Sequence, residues 1–526
     1  MLSERLVRSL AVALLVLGTT APADAGAAQP ERAPAGAIDR FLQGWMAANG
    51  VPGLALALTR DTRVIHLRGY GDAGNGRPVT PDTQFLVASL SKSFTALAVL
   101  QLVEAGRVSL DAPVAAYLPG FTVADPAGAR RITVRMLLNQ TSGMADAGFP
   151  EMTLPRPVTI AGRVASLRAA KLVSEPGTAF HYFDPNYAVL ARLVEVVSGR
   201  PLSAYLRAHI FAPLAMTGTT SVVTTAQAPS AAPDLARGHL LAFGVPIAHD
   251  ELDGNLGGSG GVVSTARDMA SWLILQNQRG TFRGRRLLSS RGIELSHTPP
   301  QGIDSSYAMG WTRQPGTPPV IEHSGVLSTF YAEQALLPTG RYGIVFLANA
   351  YSGLVDFTGL LRGLTALLIT DGPPHQGFGA RRTGIALTGV AVLIVVVGAW
   401  RLRRLPRWRR QRAARPWRAA LGIAVPLGPA LLTLLLPTLV ARFSGRVFSW
   451  RALFLAVPDL LGCLALAAAM GAALGAARAV TLISHTRPMH RRLPARPGGS
   501  AGFPPGITPP RDGRPSRGSY SREAEP

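Results

Sequence analysis

Among 526 residues the chain has one cysteine, Cys463, and two lysines, Lys92 and Lys171. A lone cysteine excludes an internal disulfide framework and a cysteine-based zinc site. Charged residues make up 16% of the chain, below the globular average of about 25%. Apolar residues are not scarce, at 47%, so wholesale disorder is excluded and a membrane part is expected. The length exceeds one ordinary domain and suggests a domain of a few hundred residues with further segments. With so few lysines, each one is worth locating.

The net charge of +23 is unevenly placed. Residues 381–526 hold 23 arginines against Asp459, Asp512, Glu523 and Glu525, a surplus of +19. Residues 1–25 cancel, which leaves +4 for 26–380. The basic character therefore lies beside apolar runs. Membrane topology and anionic lipid explain it more simply than nucleic acid, which is not expected as a partner.

Arg5 and Arg8 precede an apolar run at 10–17 and then Ala23-Asp24-Ala25. This reads as a secretory signal peptide over 1–25, or alternatively an uncleaved anchor. Three apolar stretches follow at 383–400, 419–440 and 452–477. Even 18 residues of helix reach roughly 27 Å, enough for a hydrocarbon core. The linker 401–418 carries nine arginines and no acid, which places it inside by the positive-inside rule. The domain before it is then extracytoplasmic and the chain is a multi-pass protein of the cell membrane. The tail 478–526 lands inside and reads as disordered. Asp459, inside the third stretch, is expected to serve helix packing or the interface, and Gly471 and Gly475 form a GxxxG match.

Residues 31–375 read as one α+β domain. Apolar runs at 54–59 and 64–69 flank Arg60-Asp61-Thr62, a hairpin signal. Runs at 331–337 and 342–348 flank a second turn, Pro338 to Arg341. Periodicity predicts helices over 94–105, largely buried, and over 186–197, stopped by Ser198-Gly199. Strands at both ends with helices between them predict that the terminal strands pair in one sheet.

The chemistry begins with Ser89 and Lys92. Positions i and i+3 share a helix face, so hydroxyl and amine point into one space. A serine needs a neighbouring base to become a nucleophile. A helix start also offers N–H groups to an oxyanion. Taken alone, the pair is equally a capping serine and a solvated lysine.

The stretch 85–97 (FLVASLSKSFTAL) with 110–114 (LDAPV) resembles the serine β-lactamase and penicillin-binding-protein-like hydrolases, in their class C β-lactamase-related branch. That branch holds esterases, D-aminopeptidases and DD-peptidases. Residues 133–143 (TVRMLLNQTSG), 176–188 (PGTAFHYFDPNYA), 210–216 (IFAPLAM), 260–262 (GGV) and 268–270 (DMA) match further stretches of it in order. His323-Ser324-Gly325 falls where the branch carries K-T-G or H-x-G. The resemblance implies an antiparallel sheet flanked by helices, with a separate helical region. It implies Ser89 as the acylated nucleophile, Lys92 as its proton partner and Tyr182 as general base. His323, Ser324 and Gly325 would line the opposite wall, and the N–H groups of Ser89 and Val326 would form the oxyanion hole. The substrate would be a small-molecule or peptide acyl donor, with no cofactor and no metal.

One position departs. Asp184 stands where the branch has asparagine, two residues after the tyrosine. An asparagine can donate to a substrate carbonyl, whereas an ionised aspartate only accepts. β-Lactam hydrolysis is thereby put in question more than acyl transfer in general. Gly257-Gly-Ser259-Gly-Gly261 formally fits a G-x-S-x-G elbow, but a polar segment precedes it instead of a buried strand. The expected function is a membrane-anchored extracytoplasmic serine hydrolase working through an acyl-enzyme. The alternative is a non-catalytic penicillin-binding-like receptor or membrane-assembly protein.

Overall fold

The computed structural model describes residues 35–316, 319–369, 379–412 and 416–483. The segment 1–25, expected to be a signal peptide, and the tail from 484 lie outside the described residues.

Seven antiparallel strands form the main sheet. In chain order they are β1 (Gly53–Arg60), β2 (Arg63–Gly74), β3 (Arg77–Pro78), β4 (Thr312–Gln314), β5 (Val320–Val326), β6 (Tyr331–Leu337) and β7 (Tyr342–Ala348). The spatial order is β4-β5-β6-β7-β1-β2-β3. Both expected hairpins are present, β1 with β2 and β6 with β7. The two chain ends meet as expected: β1 runs beside β7 with Leu54 opposite Ala348.

Alternation along β1 shows why both sheet faces are covered. Leu54, Leu56 and Leu58 point to one side, where the terminal helices α1 (Ala35–Asn49) and α5 (Phe357–Ile369) supply Phe41, Trp45 and Leu360. Ala55 and Ala57 point to the other, where small side chains let helix α4 (Ala266–Asn277) lie close. Helix α2 (Ser91–Glu104) is buried on most sides, as its apolar composition predicts, and helix α3 (Pro185–Ser198) packs against it. Helix α3 ends at Gly199 in the left-handed region, φ 70°.

Among the described residues, three helices are long and apolar enough to cross a membrane: Ala380–Arg403, Trp417–Ser444 and Pro458–Ile483. The first two enclose the expected stretches. The third begins later than the apolar run does, because Pro458 lacks an N–H and forces Val457 out of the helical region (φ −144°, ψ 61°). Residues 450–456 become a separate short helix, Trp450–Ala456, capped by Ser449. Gly471 lies against the Pro426 carbonyl so closely that a Cβ would collide with it, so the GxxxG face packs on the broken part of the second long helix. Asp459 accepts the Phe243 N–H at 2.8 Å and ties the start of the third helix to a turn of the globular domain.

Candidate active site

A 3₁₀ turn, Ala88–Leu90, delivers Ser89 to the floor of a cleft, immediately before α2. Ala88 sits at φ 48°, a left-handed conformation that costs an alanine roughly 1–2 kcal/mol. Neighbours hold it there. Val87 donates to the Val262 carbonyl at 3.0 Å, and β5 presses from the other side. That approach requires Gly325, because a Cβ there would collide with the Val87 carbonyl oxygen. The His-Ser-Gly stretch therefore runs beside the Ser89 turn.

Lys92 is fully buried, and three acceptors surround its ammonium. It donates to Ser89 Oγ at 3.0 Å, to Asp184 Oδ1 at 2.6 Å and to the Ser259 carbonyl at 2.9 Å. Nζ also lies 4.9 Å from the centre of the Tyr182 ring. Gln140, itself at φ 61°, orders the segment that carries Tyr182 and Asp184. Its side-chain oxygen accepts from the Phe183 N–H at 3.1 Å and from Asn186 at 2.6 Å, and its carbonyl accepts from His181 N–H at 2.9 Å.

On the facing wall, His323 is buried and its Nδ1 donates to the Ser324 carbonyl at 2.7 Å, which leaves Nε2 as an acceptor. Burial, helped by the Lys92 charge, pushes its imidazolium down to about 4, so the ring is neutral at pH 7. Ser324 and Val326 are exposed at the rim. Ser89, Tyr182, Asp184, His323, Ser324 and Val326 all line the one cleft, a cavity of about 960 Å³.

Sequence reasoning missed a group that completes this arrangement. Arg446 lies in the five-residue connection between helices Gly428–Ser444 and Trp450–Ala456. It reaches into the cleft and donates from Nη2 to Asp184 Oδ2 at 2.8 Å and from Nε to Asp146 Oδ2 at 2.8 Å. The Val447 N–H adds a third bond, to Asp146 Oδ2 at 3.0 Å. The guanidinium also lies 5.3 Å from the Tyr182 ring centre. Burial would raise the Asp184 carboxyl, but Lys92, Arg446 and Arg163 outweigh it and hold the group far below the usual carboxylate range. Burial lifts the Asp146 carboxyl, against the pull of Arg446. One signal for Arg446 was present: an arginine in a connection assigned to the outer face runs against the charge bias of that face.

Ser259, the serine of the competing elbow pattern, is buried and accepts from Arg163 at 3.0 Å. It precedes a short strand, Val262–Ser264, and not a helix. Among the described residues, no group of three or more His, Cys, Asp or Glu side chains is placed to hold a metal ion.

Comparisons with known proteins place the chain among relatives. The chain is 27% identical over 324 residues to Protein flp of Staphylococcus aureus strain MW2, a match covering 60% of this chain and 64% of that protein. The match thus spans less than two thirds of that relative's length. It is 30% identical over 334 residues to Penicillin-binding protein 4 of Amycolatopsis lactamdurans, covering 60% of this chain and 85% of that one. Among solved structures, the octameric penicillin-binding protein homologue from Pyrococcus abyssi aligns with a TM-score of 0.52 at 25% identity, over 60% of this chain and 73% of that one. The penicillin binding protein from Bacillus halodurans shares the fold with a TM-score of 0.51 at 24% identity, over 62% and 98%. Residues 38–366 match the family model described as Beta-lactamase, and the chain belongs to the beta-lactamase family.

Proposed function

We propose that the protein is a membrane-anchored, extracytoplasmic serine hydrolase that cleaves esters or amides through an acyl-enzyme on Ser89. The observation that carries this reading is Lys92, buried and bonded at once to Ser89 Oγ and Asp184 in a cleft shared with Tyr182 and His323. Its three protons are committed to acceptors, so Lys92 serves as a fixed cation and Tyr182 as the base. Ser89 Oγ attacks the acyl carbon and its proton passes to the Tyr182 oxygen. That transfer requires Tyr182 to act as the phenolate, and the Lys92 and Arg446 cations stand 4.9 Å and 5.3 Å from its ring centre. The Ser89 and Val326 N–H groups bind the oxyanion. The intermediate collapses, the C–O or C–N bond breaks, and the leaving group takes the proton from Tyr182. Water then attacks the acyl-enzyme and regenerates Ser89.

The placement of Arg446 also supports the topology. A connection between the second and third long helices that enters the cleft has to lie on the same side of the membrane as the catalytic domain. The arginine-rich 401–418 linker is then on the opposite side, where its charge belongs. The three long apolar helices support the membrane-anchored part of this reading.

The rival receptor reading has one observation in its favour: an aspartate, Asp184, and not an asparagine, is bonded to Lys92 at 2.6 Å. A serine-reactive probe on the full chain separates the two. Ser89-dependent labelling with steady ester turnover supports the hydrolase. A burst of labelling without turnover identifies a receptor, and label retained in Ser89→Ala but lost in Ser259→Ala rejects the nucleophile.

A further inference from the structure

The cleft has two unlike walls. One carries the polar groups around Ser89. The other is an apolar lining to which the C-terminal helices contribute Val440 near the end of the second long helix, Phe448 in the connection, and Leu453 and Val457 of the short helix and its break. Leu361 of α5 continues the same surface. Backbone and side-chain bonds fix this wall to the domain. The Gly353 N–H donates to the Ala456 carbonyl at 2.8 Å, and Arg446 and Val447 hold Asp146.

A soluble small substrate has no need of such a wall. Val440 lies about one turn before the end of the second long helix and Val457 immediately before the start of the third, both helices apolar enough to span a bilayer. These ends lie where headgroups meet hydrocarbon if the helices span. The apolar half of the cleft is therefore continuous with the depth at which a lipid's chain begins, while Ser89 waits on the polar side. At about 960 Å³ the cavity lies near the upper end of ligand pockets, which hold roughly 300–1,000 Å³.

The geometry points to an amphiphilic substrate. It is a membrane-resident ester or amide whose scissile carbonyl lies at the junction of a polar head and an apolar chain, with the chain against Val440, Leu453 and Val457. This rests on the hydrolase reading above and deepens it. The bond changes are those of the acyl-enzyme cycle: Ser89 displaces the alkoxide or amine, and water releases the acid.

The test uses the full chain in lipid nanodiscs, with Ser89→Ala as background. Two ester series are compared, p-nitrophenyl acetate against p-nitrophenyl decanoate, and ethyl acetate against decyl acetate. In at least one series kcat/KM should favour the long chain by about tenfold or more, since each buried methylene adds to binding. Leu453→Asn and, as a milder change, Val457→Thr should lower that long-to-short ratio several-fold. The ratio is insensitive to how much enzyme folds. Turnover of short esters with no chain preference in either series overturns the inference and leaves the hydrolase reading intact. A preference that neither variant moves also overturns it. If no ester is turned over in a Ser89-dependent way, the hydrolase reading falls and the inference with it.

Discussion

Arg446 and Asp184, 262 positions apart in the chain, meet at 2.8 Å inside the cleft. The contact gives a physical context to the aspartate at the family's asparagine position. A carboxylate in place of an amide adds a buried negative charge, and Asp146 adds another. Lys92 alone would leave one of them uncompensated. Arg446 supplies the second cation, so two positive groups face two negative ones. Arginine suits the place, because its rigid fork reaches both carboxylates from one side chain.

Arg446→Ala should therefore weaken both fold and catalysis. Removing one partner of a buried pair costs about 3–5 kcal/mol, and with Arg446 partly open to solvent about 2 kcal/mol is expected. Ester kcat/KM should fall roughly tenfold, about 1.4 kcal/mol, as Asp184 and Tyr182 lose a fixed neighbour. Arg446→Lys should recover part of the stability but less of the rate, because an ammonium cannot bridge both carboxylates. Denaturant unfolding in detergent and ester kinetics measure the two effects. Wild-type values for Arg446→Ala would mean that the loop does not occupy the cleft in the working protein.

Much of this was legible in the sequence where local pattern and global fold agree. The β1–β2 and β6–β7 hairpins follow from alternating apolar runs with turn residues between them. The pairing of β1 with β7 follows from strands standing at both ends of the domain. Ser89 and Lys92 stood out by their spacing, but only the family-like stretches around them gave the pair a role. Asp146 and Arg446 had no such pattern, since their partnership joins segments 300 residues apart. Nothing local marks a long-range charge pair. The third long helix was misjudged at its start for a related reason. Hydropathy counts apolar residues across 452–477, while the chain obeys Pro458, whose missing N–H ends one helix and opens another.

Glu333 offers a pH test. It lies on β6, lines the cleft and accepts from the Tyr331 hydroxyl at 2.6 Å. Burial, with Glu322 nearby, lifts its carboxyl to about 8. Unfolded, a glutamate titrates near about 4.3. The folded state thus binds more protons across this interval, and its stability falls as pH rises towards 8. From pH 7.5 to 8.5 the loss should be roughly 0.5–1 kcal/mol. His323, pushed down to about 4, and His297, pushed down to about 3 by burial, are neutral in both states above pH 7.5 and add little slope. Glu333→Gln keeps the acceptor for Tyr331 and should flatten the profile. A variant as pH-sensitive as the wild type would show that Glu333 is ionised in the folded protein.

The sharpest test pairs Asp184 with Arg446. Asp184→Asn alone leaves two cations facing the single anion Asp146, and Arg446→Ala alone leaves two anions facing Lys92. The double variant returns to one of each. Its stability should therefore exceed the sum of the single effects, with a coupling of about 0.5–3 kcal/mol as found for contacting charges. The chemistry should move as well. An asparagine can donate to the carbonyl beside an amide or β-lactam ring, a bond worth about 0.5–1.5 kcal/mol. The ratio of β-lactam or amide turnover to ester turnover should rise by up to about tenfold in Asp184→Asn, as that bond energy implies. It should stay raised in the double variant, where the lost charge balance is restored. Strict additivity of the two stability effects would separate the residues. An unchanged substrate ratio would remove Asp184 from the substrate's path and leave it only the task of holding Lys92 and Arg446 in place.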